Sequence, residues 1–109
     1  MTPPLNRILY IEDDPDIRSI AVIALEGVGG WSVKACESGA QALHEAPGFA
    51  PDLFLLDGMM EGMDGPATLR ALRRDPNLTE VPAVFLPARL QPHEMTRHLD
   101  QGAIDVIPN

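Results

Sequence analysis

The chain has 109 residues, 45% of them apolar, and sixteen acidic against eight basic side chains give it a formal charge of −8. That length suits one domain with a single core, and the apolar fraction with scattered glycines and prolines excludes disordered and collagen-like chains. The charge argues against direct contact with nucleic acid or an anionic membrane surface, both of which need a basic face.

Cys36 is the sole cysteine. No disulfide framework exists, and a reducing compartment is expected. No segment reaches the roughly 18 apolar residues of a membrane span, and no charged-then-apolar leader opens the chain. A soluble, cytoplasmic protein is the expectation.

After a polar lead-in with Pro3 and Pro4, the run RILYI (Arg7–Ile11) predicts a buried strand. EDDPD then stops it. Asp14 followed by Pro15 reads as a helix N-cap and first-turn proline, with Asp16 adding favourable charge to that turn. Ile17, Ile20, Ala21, Ala24, Leu25 and Val28 recur at helical spacing behind it, and Gly27, Gly29 and Gly30 end the helix.

Residues 31–36 (WSVKAC) alternate as a second strand, and Ser38 caps a short helix that Pro47 and Gly48 terminate near Ala46. PDLFLLD is the third strand. A helix starting at Pro66 carries Leu69 and Leu72 inward, with Arg70, Arg73 and Arg74 on a solvated face. Residues 81–86 (VPAVFL) make a fourth strand, residues 91–102 a polar helix anchored by Met95 and Leu99, and residues 104–107 a short fifth strand. Five strands alternating with four helices predict a parallel sheet covered on both faces.

In such a sheet ligands bind beyond the carboxyl ends of the strands. Those ends carry Glu12, Asp13 and Asp14 after the first strand, Asp57 after the third, Pro87 and Ala88 after the fourth, and Pro108 and Asn109 after the fifth. A core run ending on a carboxylate is otherwise hard to explain. Asp57 makes sense at the mouth of its strand, facing the acids of the first. Carboxylates that close together repel, and a hard divalent cation such as magnesium removes the conflict. A carboxylate beside such a cation is a plausible nucleophile for phosphoryl transfer. Asp14 is better explained as a helix cap than as a ligand.

ILYIEDDPDIR, PDLFLLDGMMEGMDG and QGAIDVIP, in this order and spacing, resemble the receiver domain of two-component response regulators. The resemblance covers the chain from Arg7 to Pro108. It implies a flavodoxin-like, doubly wound α/β/α fold with five parallel strands in the order 2-1-3-4-5. It implies that Asp57 accepts a phosphoryl group from a histidine kinase or phosphotransfer protein. Asp13 and Asp57 would ligate magnesium directly, the carbonyl of Met59 would be a third ligand, and Glu12 would act through water. The amides of Gly58 and Ala88 would contact the phosphoryl group. The chain would assist its own phosphorylation and dephosphorylation without being a turnover enzyme.

Three positions depart from the family pattern. Pro87 stands where receivers carry Thr or Ser, and it has neither a hydroxyl nor an amide hydrogen. Val106 replaces the usual aromatic, and Asn109 replaces the lysine that pairs with the phosphoryl group. Lys34, the one lysine in the sequence, belongs to the second strand on the far side of the implied sheet; Arg89 is a nearer cation. The family's fifth helix is missing, so residues 1–109 read as a single receiver domain cut short. The uncovered face and the wide apolar stripe of the first helix then favour self-association.

An alternative is an atypical receiver that keeps the acidic pocket but serves as a phosphorylation-independent interaction module. A magnesium-dependent phosphatase of the haloacid-dehalogenase type is disfavoured, because Met59 occupies the position of its second acid. His44, His93 and His98 lack partners at metal-ligand spacing and read as solvated, and Cys36 reads as a small packed apolar residue.

Overall fold

The computed structural model describes residues 6–57 and 65–86. The polar helix expected over 91–102 and the fifth strand over 104–107 lie outside the described residues, as does the loop after the third strand.

The described elements run β1 (Arg7–Ile11), α1 (Pro15–Ile23), a π turn (Ala24–Val28), β2 (Ser32–Cys36), α2 (Gly39–Phe49), β3 (Leu53–Asp57), α3 (Gly65–Leu72), a 3-10 turn (Pro76–Leu78) and β4 (Ala83–Leu86). The strands form one parallel sheet in the order β2-β1-β3-β4. The fold is flavodoxin-like, and the observed order agrees with the expected 2-1-3-4-5 over its described part.

β1 and β3 are apolar throughout their interiors because both of their faces are covered. On one face Leu9, Ile11, Phe54 and Leu56 pack with Ala42 and Ala46 of α2 and Leu69 and Leu72 of α3. On the other, Ile8, Tyr10, Leu53, Leu55 and Val84 pack with Ala21 and Leu25. No helix among the described residues is long and apolar enough to cross a membrane.

The start of α1 is as expected: the Asp14 carboxylate accepts from the N–H groups of Asp16 and Ile17, at 2.9 and 3.2 Å. Its apolar stripe is wider than the surface it packs on. Ala21 and Leu25 are fully buried, but Ile20 is 54% and Ile23 71% exposed. The helix also does not end cleanly at its glycines. The Gly29 N–H donates to the Ala24 carbonyl at 3.2 Å, five residues back, which makes the last turn a π turn.

Other boundaries differ for identifiable reasons. Trp31 falls outside β2 because its N–H is taken by the Leu25 carbonyl at 3.3 Å. α2 runs through Pro47 to Phe49, instead of stopping near Ala46. Pro47 has no N–H for the Leu43 carbonyl and its ring crowds that carbonyl, so the helix needs support to continue past it. The final turn is held from outside: Phe49 packs on the core, its carbonyl accepts from Arg7 Nε at 2.7 Å, and the Arg7 guanidinium lies 4.3 Å from its ring centroid. Ala50, at φ 53°, closes the helix in the left-handed conformation.

Arg73 is not on a solvated face. It is half-buried, and its Nη1 donates to the carbonyls of Thr79 (2.7 Å) and Leu78 (3.4 Å), clasping the turn before β4 to α3.

The path from α1 into β2 depends on close packing at Gly29. A Cβ there would sit 2.5 Å from the Trp31 ring and 2.7 Å from the Leu25 carbonyl oxygen, whereas one at Gly27 would meet nothing within 4 Å. Gly29→Ala should destabilise the chain by about 2 kcal/mol through overpacking. Gly27→Ala should leave stability unchanged or raise it by up to about 1 kcal/mol. Urea unfolding midpoints check both, and equal midpoints for the two variants would count against this packing.

Candidate functional site

The site is built by the register of the central strands. Ile11 pairs with Leu56 in the β1–β3 ladder, and Asp57 pairs with Leu86 in the β3–β4 ladder. One residue beyond Ile11, Glu12 therefore stands level with Asp57, about one strand spacing of roughly 5 Å away along the backbone. Asp57 is placed here by its backbone register. The same row extends to β2, where the Glu12 N–H donates to the Cys36 carbonyl at 3.0 Å.

The acids after β1 are sorted by environment. Glu12 is buried, at 5% exposure, which an acid after a strand end does not ordinarily show. Its Oε1 accepts from the Tyr10 hydroxyl at 3.2 Å, and its Oε2 from the Asp14 N–H at 3.2 Å. Tyr10 and Glu12 are two residues apart, on the same face of the strand. Asp13 is half-buried, and Asp14 is exposed with its carboxylate committed to the helix cap.

Sequence reasoning missed two residues of this end of the sheet. Tyr10 was legible from the two-residue repeat that puts it beside Glu12. Arg18 was not: its Nη1 donates to the Glu12 carbonyl at 2.9 Å, from the second turn of α1. A cation is thus held against the backbone that carries the acids.

Lys34 does not reach this end of the sheet. It pairs with Glu45 of α2 at 3.0 Å, on the edge strand. Among the described residues, no three His, Cys, Asp or Glu side chains are grouped to hold a metal ion. Gly58, Met59, Pro87, Ala88, Arg89, Val106 and Asn109, together with His93 and His98, lie outside the described residues; His44 is exposed as expected.

The model of the response regulator receiver domain matches residues 8–108. The chain belongs to this family. Receiver domains are the phosphoacceptor modules of two-component response regulators. Among relatives, the DNA-binding response regulator MtrA of Mycolicibacterium smegmatis is 37% identical over 94% of this chain, which spans 43% of that protein. The chain therefore covers under half of this relative's length.

A solved N-terminal domain of a response regulator receiver protein from Methanoculleus marisnigri is 38% identical, with a TM-score of 0.70 over 87% of this chain and 77% of that one. The receiver domain of the sensor histidine kinase PA1611 from Pseudomonas aeruginosa has the same fold. Its TM-score is 0.75 at 22% identity, over 90% of this chain and 97% of that one, and it was solved with magnesium in its active-site cleft.

Two measurements test the described part of the site. Tyr10→Phe removes one hydrogen bond to a buried carboxylate and should cost about 1–2 kcal/mol in urea unfolding; an unchanged midpoint would show the contact to be idle. Cys36 is fully buried at the end of β2, level with Ile11, one residue short of Glu12. Burial pushes its thiol up to about 11, Glu45 adds to the rise, and Lys34 and Arg18 oppose it. The folded state then holds its proton more tightly than the unfolded state, whose thiol titrates near 9. The stabilisation is complete below pH 9 and is lost as pH rises through about 11. Wild type should lose stability across that window more steeply than Cys36→Ala, and parallel pH profiles would contradict the assignment.

Proposed function

We propose that this chain is a single receiver domain whose Asp57 accepts a phosphoryl group from a histidine kinase or phosphotransfer protein, with magnesium bound beside it. The observation that supports the reading most directly is the ladder register, which sets Asp57 level with Glu12 at the carboxyl ends of β3 and β1. An acid that ends an apolar strand level with a second, buried acid on the neighbouring strand points to a charged ligand.

The donor set fits a hard cation of magnesium's type, which takes one or two carboxylates, a carbonyl and waters. Asp13 and Asp57 would be direct ligands, with the Met59 carbonyl as a third. Glu12 already accepts a hydrogen bond at each carboxylate oxygen, which suits it to act through a water. When bound, the metal neutralises phosphoryl oxygens. A carboxylate oxygen of Asp57 would form the new bond to phosphorus as the bond to the donor's histidine nitrogen breaks. The amides of Gly58 and Ala88 would receive the phosphoryl oxygens.

Pro87, Val106 and Asn109 bear on the fate of the phosphorylated form. Without the usual hydroxyl, aromatic and lysine, it would be coupled only weakly to a change of shape. The exposed isoleucines Ile17, Ile20 and Ile23 of α1 give an apolar surface for self-association. DNA binding belongs to the relative's name, and a charge of −8 opposes contact between these residues and a polyphosphate. The absence of any membrane-crossing helix among the described residues fits a cytoplasmic place of action.

The test is intact-mass spectrometry after incubation with acetyl phosphate and magnesium, beside Asp57→Asn. One phosphoryl adduct on the wild type and none on the variant is the expected result. Asp57→Asn should also weaken magnesium binding by roughly tenfold or more, since even residues outside the ligand shell cost that much in metal sites. A folded, magnesium-binding wild type without an adduct would transfer the assignment to an interaction module that works without phosphorylation.

A further inference from the structure

β2 is the edge of the described sheet, with β1 on one flank and no strand among the described residues on the other. In a parallel ladder, alternate residues turn both backbone groups toward the same neighbour. The Ser32 N–H donates to the Asn6 carbonyl at 2.8 Å, and the Cys36 carbonyl accepts from Glu12 at 3.0 Å. Ser32, Lys34 and Cys36 are therefore the residues that serve β1. Val33 and Ala35 present their N–H and C=O groups to the outer flank. Such a row is a template on which a strand of another chain can add.

The outer flank is not left open. Glu26 Oε2 accepts the Val33 N–H at 3.3 Å. Just beyond the strand, Gln41 Oε1 accepts the Glu37 N–H at 2.8 Å. Ala35 thus lies between two donors that side chains have closed.

The backbone before β2 is shaped in a way that brings Glu26 there. Leu25 is fully buried and its carbonyl takes the Trp31 N–H, while the next residue, exposed Glu26, reaches over the edge. A regular α turn closes with hydrogen bonds four residues back; the five-residue closure from Gly29 to Ala24 widens the turn at this point. Gly29 has no space for a Cβ, and Gly30 has φ 74°. Neither the acids after β1 nor Asp57 makes use of this corner, which lies at the opposite end of β2.

We propose that Glu26 closes the β2 edge: its carboxylate takes the hydrogen-bonding place of a neighbouring strand and keeps a second copy of this chain from adding through β2. The charge contributes as well as the acceptor. Two chains approaching edge to edge would bring their Glu26 carboxylates toward one another, and like charges across paired strands are unfavourable.

Glu26 is exposed, so replacing it leaves the core intact. Sedimentation of wild type, Glu26→Ala and Glu26→Gln over a concentration series, combined with amide hydrogen exchange, tests the proposal. At low concentration, Val33 should exchange roughly fivefold faster in Glu26→Ala than in wild type, the scale of one net hydrogen bond. As concentration rises, Glu26→Ala should move toward twice the monomer mass beyond any association of the wild type. Val33 and Ala35 should become protected in step. Glu26→Gln keeps an acceptor but loses the charge, so it should associate more than the wild type and less than Glu26→Ala.

The proposal is overturned if Glu26→Ala associates no more than wild type. It is equally overturned if the added association leaves the Val33 and Ala35 amides unprotected, which would place the contact elsewhere, or if Glu26→Gln associates as strongly as Glu26→Ala.

Discussion

The pairing of β1 with β3 is the constraint on which the rest depends. Both strands are buried on two faces, with Leu9, Ile11, Phe54 and Leu56 in one core and Ile8, Tyr10, Leu53 and Leu55 in the other. A slip of one residue would exchange the two faces of whichever strand moved, setting every side chain of it against the wrong layer. The register is therefore fixed by packing along the whole strand. Because it is fixed there, it is also fixed one residue beyond, where Glu12 comes level with Asp57. Core packing, at no cost in additional contacts, aligns the acids at the mouth of the sheet.

The charges at that mouth are tolerable because they are given different tasks. Asp14 is drawn to the first turn of α1, where the N–H groups of Asp16 and Ile17 satisfy it. Glu12 is drawn inward, where the Tyr10 hydroxyl and the Asp14 N–H hold it. The two are linked, since the residue whose carboxylate caps the helix also donates its own N–H to Glu12. The order of the helix start and the orientation of the buried acid are thus one arrangement. Asp13, between them, is left half-buried.

The strands were readable in the sequence because runs such as RILYI and LFLLD are apolar for a reason local to each of them: both faces are covered. The cap at Asp14 was readable because capping is a matter of adjacent residues. What escaped the sequence was set by contacts that reach beyond a residue's own element. Pro47 looked like a stop, yet Arg7 and the core hold Phe49 beyond it. Arg73 looked solvated, yet the carbonyls it clasps come from a turn five and six residues onward. The stripe of α1 looked like a buried face, but spacing reports which residues align and not how much surface lies opposite, so Ile20 and Ile23 remain exposed. Asp57, Asp13 and Glu12 were singled out by their strand-end positions. The burial of Glu12 could be inferred only by pairing it with Tyr10.

Arg18 shows how a cation-poor chain arranges its few positive charges. Eight basic residues face sixteen acids, so each cation near the mouth matters more than it would in a balanced sequence. Lys34 is paired with Glu45 along the edge strand and is unavailable to the carboxyl ends of β1 and β3. Arg18 instead lies one helical turn past the Asp14 cap, close enough for its guanidinium to bond the Glu12 carbonyl. Through this bond to backbone it holds the loop in place. A guanidinium committed to the carboxylates themselves would compete with any metal for the same oxygens. Held at the carbonyl, it sets a positive charge beside the acids without bonding a carboxylate oxygen.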